Sequence, residues 1–225
     1  MHLQNRTEVF TLGHSPDPDD AFMFYAIAKN KIDLRGYRFE HRLEDIQTLN
    51  ERGRQGDLHI SAISIHAYAY MADKYALLPC GASMGDGYGP VIVRKRSERP
   101  TSNEESMDYS GAREFLNSKK IAVPGKMTSA FLALQLFLGE FEFTVVPFDK
   151  IFVEYGLTHR DEAVAYSLAD ARDMNAQLAS KFIGMYVNEF TRDYGEIGRA
   201  AIRKFLSDAH YKGYIDAPIK LEFVE

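Results

Sequence analysis

Residues 13–25 read Gly13-His-Ser-Pro-Asp-Pro-Asp-Asp-Ala-Phe-Met-Phe-Tyr25, and this stretch decides how the start of the chain is interpreted. The apolar run before it, Val9–Leu12, predicts a β-strand, and the apolar residues after Asp20 predict a helix. Asp17 suits the N-cap of that helix and Pro18 its first position. Helix capping alone accounts for such residues. The alternative is a ligand-binding turn, because open α/β sheets place ligands at the carboxyl ends of their strands.

Strand and helix patterns alternate along the first 95 residues, which predicts a largely parallel sheet with helices on both faces. Strands are predicted at 37–43, after 57–60, at 75–78 and at 90–94, and helices at 46–55 and 64–73. The polar stretch 95–110 is either a connection between lobes or a disordered insertion. The pattern then restarts, with strands at 120–124 and 141–147, an apolar helix at 130–138 and helices over 153–169, 175–190 and 194–210.

Composition excludes several classes of protein. The net charge of -5 disfavours a general nucleic-acid binder, and a single cysteine, Cys80, excludes an internal disulfide. The N-terminal residues lack an apolar signal core, and no apolar run is long enough to span a bilayer. We therefore expect a cytoplasmic protein with neither a nucleic acid nor a membrane as its partner.

Three strand-to-helix turns carry residues suited to an anion: Ser15–Asp20, Ser61–Ser64 and Gly125–Ser129. In parallel sheets such turns meet at one edge, and their hydroxyls and helix N-terminal amides suit a carboxylate. Capping alone explains any one of these turns, whereas three together favour a shared cleft. The Gly-rich segment Cys80–Pro90 is either a flexible wall of that cleft or an ordinary loop.

The histidines do not predict a metal site, because no His-x-x-x-His or Cys-x-x-Cys spacing occurs. His66 shares a predicted helix with Tyr68 and Tyr70, and packing is the role expected for it. Cys80 has no base beside it in the sequence and is not expected to be a nucleophile.

The stretch Gly13–Tyr25 resembles the opening motif of the 1,4-dihydroxy-6-naphthoate synthases, enzymes of the futalosine route to menaquinone. The usual form of this motif is Ser-Pro-x-Pro-Asn/Asp-Asp followed by an aromatic-rich helix. Further segments agree with the family in the same order: 44–50, 61–70, 81–90, 120–130 and 185–188. The resemblance covers nearly the whole chain.

The resemblance implies an α/β fold of the two-lobed, periplasmic-binding-protein-like type II, with mixed, mostly parallel sheets. Residues 1–95 and 153–225 would form the first lobe, and 96–152 an incomplete second lobe. The implied reaction is a carbon–carbon cleavage that converts cyclic dehypoxanthinyl futalosine, an anionic aromatic substrate, into the naphthoate without a metal or organic cofactor. The implied substrate contacts are Asn50, Ser61, Ala62, Ile63, Ser64, Thr128, Ser129 and Ala130. Ser15 and Asp19 of the opening turn are further candidates for substrate binding.

The chain departs from the family at one place. The family's general base is a histidine in a Gly-Leu-Ile-Ile-His-Glu motif, but this chain passes from Asp149–Phe152 directly to Val153–Glu162, which resembles a later helix of the family. Several dozen residues are therefore missing. Either the protein itself has lost them by deletion, or the protein contains them and the sequence omits them. His159 lies in that later helix and is no substitute.

Two expectations follow from the gap. A chain without the base should catalyse little or no turnover, and the alternative function is a catalytically inactive or non-enzymatic protein that binds small carboxylates. If the chain is contiguous at Phe152, the apolar helix at 130–138 should lack cover, which favours mobility, aggregation or a homodimer. If residues are missing only from the sequence, a spatial break is expected there.

Overall fold

A computed structural model describes residues 8–16, 18–87, 89–93, 109–146 and 187–224 of the protein. The strands are β1 (Val9–His14), β2 (Arg38–Leu43), β3 (Ile60–Ser61), β4 (Ile121–Val123) and β5 (Phe143–Val145). The helices are α1 (Pro18–Ala28), α2 (Ile46–Gln55), α3 (Ile65–Tyr68), α4 (Tyr109–Asn117), α5 (Ser129–Leu138), α6 (Glu189–Arg192) and α7 (Gly195–Tyr211).

Two parallel sheets form the framework. The first has the order β2–β1–β3, and Leu12 of β1 pairs with His41 on one side and Ile60 on the other. The second consists of β4 and β5, with Ile121 opposite Phe143. Every strand pair in the described part of the chain is parallel, so the predicted α/β class with mostly parallel sheets is confirmed. Within each sheet, the carboxyl ends of the strands consequently lie at one edge.

Local side-chain chemistry fixes where two of the helices begin. Asp45 is the N-cap of α2 and accepts hydrogen bonds from the amides of Gln47 and Thr48, and Gly56 ends this helix with a left-handed backbone. Thr128 caps α5 and accepts from the amide of Phe131. These caps satisfy amides that have no partner inside their own helix.

The predicted helix at 64–73 is shorter than expected. It is regular only over Ile65–Tyr68, and the next residues form turns. The reason is visible in the backbone: the amides of Ala69, Tyr70 and Met71 bond to carbonyls three residues back, which tightens the chain out of the α-helical path.

Two predicted strands are wrong in the described residues. Residues 75–78 contribute a single parallel bridge, Leu77 to Phe223, and the described part of 90–94 forms no strand. Val91 is 81% exposed there. Apolar composition predicts a strand only if a neighbouring strand is available to bond with it, and this condition cannot be derived from a local window.

The main core connects α3, α5 and α7. It consists of Ala67, Tyr68, Met71, Leu132, Tyr194, Ile202, Leu206, Ala209 and Ile215, which come from the region of α3, from α5, from α7 and from the segments flanking α7. The hydroxyl of Tyr68 donates to the carbonyl of Tyr75. The C-terminal tail runs beside Leu77, whose amide donates to Glu222 and whose carbonyl accepts from Val224.

The apolar helix predicted at 130–138, which is α5, is not left without cover. Phe131, Leu132 and Leu138 are buried, and the other residues of that stretch are half-buried. Leu132 belongs to the core that α7 completes, and the ring of Phe131 packs against those of Phe141 and Phe143. The expectation of a bare apolar helix was therefore wrong, because it considered only the neighbours that are close in sequence.

Some predictions fall outside the described residues. These are the helices between 153 and 186, the capping role of Asp17 and the geometry of the junction at Phe152. The division into lobes of 1–95 with 153–225 and of 96–152 stays a prediction. In the described part of the chain, no helix combines the length and the apolar character that crossing a bilayer would require.

Candidate functional site

The turn after β1 is closed by its own acidic residue. The amide of Ser15 donates to Oδ2 of Asp20 at 2.7 Å, and both residues are buried. The neighbouring carboxylate, that of Asp19, accepts a hydrogen bond from the hydroxyl of Ser83 at 2.8 Å. The Gly-rich segment around Ser83 therefore contacts the start of α1, beside this turn.

A histidine pair lies beneath this turn. Nε2 of His14 is 2.9 Å from Nδ1 of His41, and Nδ1 of His14 is 3.0 Å from the carbonyl oxygen of Ser15. The ring of His14 stacks on Phe24 of α1 at 4.5 Å between centroids. Burial, and then the charge of His14, lower the pKa of His41, which favours the neutral imidazole. Sequence reasoning missed this pair, because 27 residues separate its members.

The turn after β3 is organised by Asn50, which is fully buried in α2. Oδ1 of Asn50 accepts from the amide of Ser64 at 2.8 Å, and its Nδ2 donates to the Ser64 hydroxyl at 3.1 Å. The hydroxyl of Ser61 donates to the carbonyl of Ala62, whose amide donates to Gly13 of β1. Asn50 therefore holds Ser64 in place, and Ile63 and Ser64 are half-buried.

The turn after β4 meets the first sheet. Thr128 is buried, and its hydroxyl donates to the carbonyl of Gly125 at 2.9 Å. A Cβ atom on Gly125 would lie 2.0 Å from Oε1 of Gln47, so α2 touches this turn directly. The hydroxyl of Ser129 accepts from the amide of His66 at 3.4 Å, and Ala130 is half-buried.

These contacts bring most of the predicted site residues together. The Ser61–Ser64 turn contacts β1 through Gly13 and reaches Thr128 and Ser129 through His66. Sequence reasoning missed the roles of His66 and Gln47. The position of His66, two residues after a predicted site serine, was the available signal.

Two surface depressions lie away from these turns. One of about 370 Å³ lies between α7 and the C-terminal tail, beside Leu206, His210 and Ile219. Another of about 280 Å³ lies beside Phe141, Phe143 and the end of α5. Neither contains a predicted site residue, whereas hydroxyls and helix caps lie close together at the strand ends. In the described residues, no group of three or more His, Cys, Asp or Glu side chains could hold a metal ion.

Comparisons with known proteins identify relatives of this chain. A "1,4-dihydroxy-6-naphtoate synthase" of Thermus thermophilus is 24% identical over 276 positions, covering 92% of this chain and 96% of that protein. One of Streptomyces coelicolor is 24% identical over 286 positions, covering 93% and 96%. A crystal structure of an Archaeoglobus fulgidus protein matches with a TM-score of 0.71 and 30% identity, covering 95% of this chain and all of that one.

The alignment with the Thermus thermophilus protein contains gap positions in this chain. The Thermus alignment spans 276 positions whereas the chain has 225 residues, so at least 51 positions of the alignment have no residue of this chain. The sequence profile of a family described as "Menaquinone biosynthesis" matches in two consecutive segments, residues 10–152 and 153–211. The division falls at the place where the motif of the base is missing. The profile nevertheless covers most of the chain, and the chain therefore belongs to the menaquinone biosynthesis family.

Proposed function

We propose that this chain is a 1,4-dihydroxy-6-naphthoate synthase by descent, whose reaction converts cyclic dehypoxanthinyl futalosine to the naphthoate. The observation that carries the proposal is the family match over residues 10–152 and 153–211, together with two curated relatives of that name. A two-lobed, periplasmic-binding-protein-like fold with the ligand between the lobes is part of the proposal. A cytoplasmic location and a homodimer remain predictions.

The arrangement of the turns supports an anionic aromatic ligand. Hydroxyls of Ser64, Thr128 and Ser129 lie in the turns after β3 and β4, and Asn50 and His66 hold these turns. The turn after β4 also leads into α5, whose N-terminal amides favour a carboxylate. We propose that these turns and the Ser15–Asp20 turn bind the substrate through the ten residues predicted from the sequence.

Catalysis requires a base, and the two buried histidines beside the site turns, His14 and His66, do not offer an open one. His14 is 4% exposed and His66 is 2% exposed, and each ring nitrogen of both lies within hydrogen-bond distance of a protein atom. Removal of a proton before carbon–carbon cleavage needs a group that can reach the substrate. We therefore propose that the chain binds the ligand and turns it over slowly or not at all.

The experiment compares three proteins. The first is this chain. The second is this chain with the segment of the Thermus thermophilus relative that aligns to the gap inserted between Phe152 and Val153. The third carries the same insertion with the histidine of the Gly-Leu-Ile-Ile-His-Glu motif changed to glutamine. Turnover of cyclic dehypoxanthinyl futalosine is measured for each. We expect activity only in the second protein. Inactivity of all three would contradict descent from a naphthoate synthase.

The alternative function, a binding protein for small carboxylates, is favoured by the same missing segment. Calorimetry with 1,4-dihydroxy-6-naphthoate measures binding by the unaltered chain, and 1,4-dihydroxynaphthalene is the control without a carboxylate. Ser64→Ala should weaken binding of the naphthoate about tenfold, because one hydrogen bond to a charged group is lost. Equal affinity for both compounds would exclude a carboxylate-binding site.

A further inference from the structure

The side chain of His66 connects the two sheets of the protein. It lies on α3, after the last strand of the first sheet, and its Nδ1 is 3.3 Å from the carbonyl oxygen of Thr128, after β4 of the second. A carbonyl oxygen can only accept, so Nδ1 carries the hydrogen and donates it. The imidazole is 2% exposed, so this hydrogen bond is shielded from water.

The second ring nitrogen is also occupied. Nε2 of His66 is 3.3 Å from the hydroxyl of Tyr70, and the two rings lie 5.6 Å apart. In a neutral imidazole with hydrogen on Nδ1, Nε2 accepts, so Tyr70 donates to it. Burial lowers the pKa of His66, opposed by the Thr128 carbonyl, and keeps the ring neutral. The hydrogen bonds therefore run in one direction, from Tyr70 through His66 to Thr128.

The backbone of His66 adds a further connection. Its amide donates to the hydroxyl of Ser129 at 3.4 Å, and Ser64, two residues earlier, is held by both side-chain atoms of Asn50. His66 thus contacts both Thr128 and Ser129 at the end of the turn after β4, while Ser64, two residues earlier, belongs to the turn after β3. A change in the position of His66 would change the separation of the two turns.

We propose that His66 is a positioning residue that sets the separation of the Ser61–Ser64 and Gly125–Ser129 turns and so determines ligand affinity. The inference rests on the proposed function for the identity of the ligand. A ligand that contacts two separate turns binds more tightly when their separation is already correct, because less conformational freedom is lost on binding. His66 itself need not touch the ligand.

The test separates this role from simple packing. His66→Phe keeps an aromatic ring of similar size and removes both side-chain hydrogen bonds, whereas His66→Gln retains a donor and an acceptor. Calorimetry with 1,4-dihydroxy-6-naphthoate should give about tenfold weaker binding for the Phe variant and a loss of less than about threefold for the Gln variant. Ile202→Val, a mild change in the core, is the control for reduced stability and should leave affinity unchanged.

A second measurement does not need the ligand. Amide hydrogen exchange of the unliganded protein should become faster in the His66→Phe variant at residues 61–66 and 125–132, and stay unchanged in β2. If the His66→Phe variant keeps wild-type affinity and wild-type hydrogen exchange, the inference is wrong. It is also wrong if the His66→Gln variant and the Ile202→Val control bind the naphthoate as weakly as the His66→Phe variant does. If the wild-type protein does not bind the naphthoate, the proposed function fails, and hydrogen exchange alone decides the role of His66.

Discussion

At the scale of single residues, Gly125 is a position of the site where the neighbouring atoms leave no room for a side chain. A Cβ atom there would lie 2.0 Å from Oε1 and 2.5 Å from Cδ of Gln47, far inside contact distance. We expect Gly125→Ala to lower the free energy of unfolding by about 1 kcal/mol, because the Gln47 side chain must leave its present position and lose its hydrogen bond to Glu51. Urea denaturation measures this change, and ligand affinity should fall with it.

Two further variants make the test specific. Gln47→Ala together with Gly125→Ala removes the clash and should recover most of the lost stability. Gly89→Ala is the matched control, because a Cβ atom at Gly89 meets no atom within 4 Å. If Gly125→Ala is as stable as the wild-type protein, the Gln47 side chain does not occupy this position beside Gly125 in solution.

At the scale of helices and strands, hydrophobic periodicity and capping residues predicted the features that depend on neighbouring residues in the sequence. The strand at β1, the helices α2, α5 and α7, and the parallel pairing all follow from local patterns and chain order. Contacts between distant segments were not accessible in this way. The strand predicted at 90–94 found no neighbour, and α5 obtained its cover from α7, which begins more than 50 residues later. The site turns were predicted, but the side chains that hold them were not.

The start of α5 depends on a single hydroxyl. Oγ1 of Thr128 accepts from the amide of Phe131 at 3.2 Å and donates to the carbonyl of Gly125 at 2.9 Å. Thr128→Ala should therefore lower the free energy of unfolding by about 1 kcal/mol, whereas Thr128→Ser keeps the hydroxyl and should cost only a few tenths. Thermal unfolding measures both. A loss for Thr128→Ser as large as that of Thr128→Ala would contradict the capping role.

At the scale of the whole molecule, the two sheets are joined by a core and by polar contacts at the strand ends. Leu132 of α5 packs with Ile202 and Leu206 of α7, and Gln47 and His66 meet the turn after β4. The short second sheet is therefore supported by the rest of the protein, although at least 51 positions of the Thermus alignment are missing from this chain. Since the polar contacts include buried histidines, the stability of the whole molecule should depend on pH.

The direction of this dependence follows from His41 and His66. Burial is the main cause that lowers the pKa of each from its ordinary value of 6.5, with the charge of His14 adding to the effect at His41 and the Thr128 carbonyl opposing it at His66. The unfolded chain then binds these protons more readily, so stability is fully present above pH 6.5 and declines as the pH falls through 6.5 toward the lowered values. Urea midpoints at about pH 7.5 and about pH 5 measure the loss. Both pH values lie above the range in which Asp45 titrates: burial would raise the pKa of Asp45, but the hydrogen bonds from Thr48 and Gln47 together outweigh it and lower this pKa from 3.8. The His41→Gln and His66→Gln variants should each lose less stability over this range, and their effects should add in the double variant because the two sites share no partner. A decline as steep in the double variant as in the wild-type protein would show that other groups control the pH dependence.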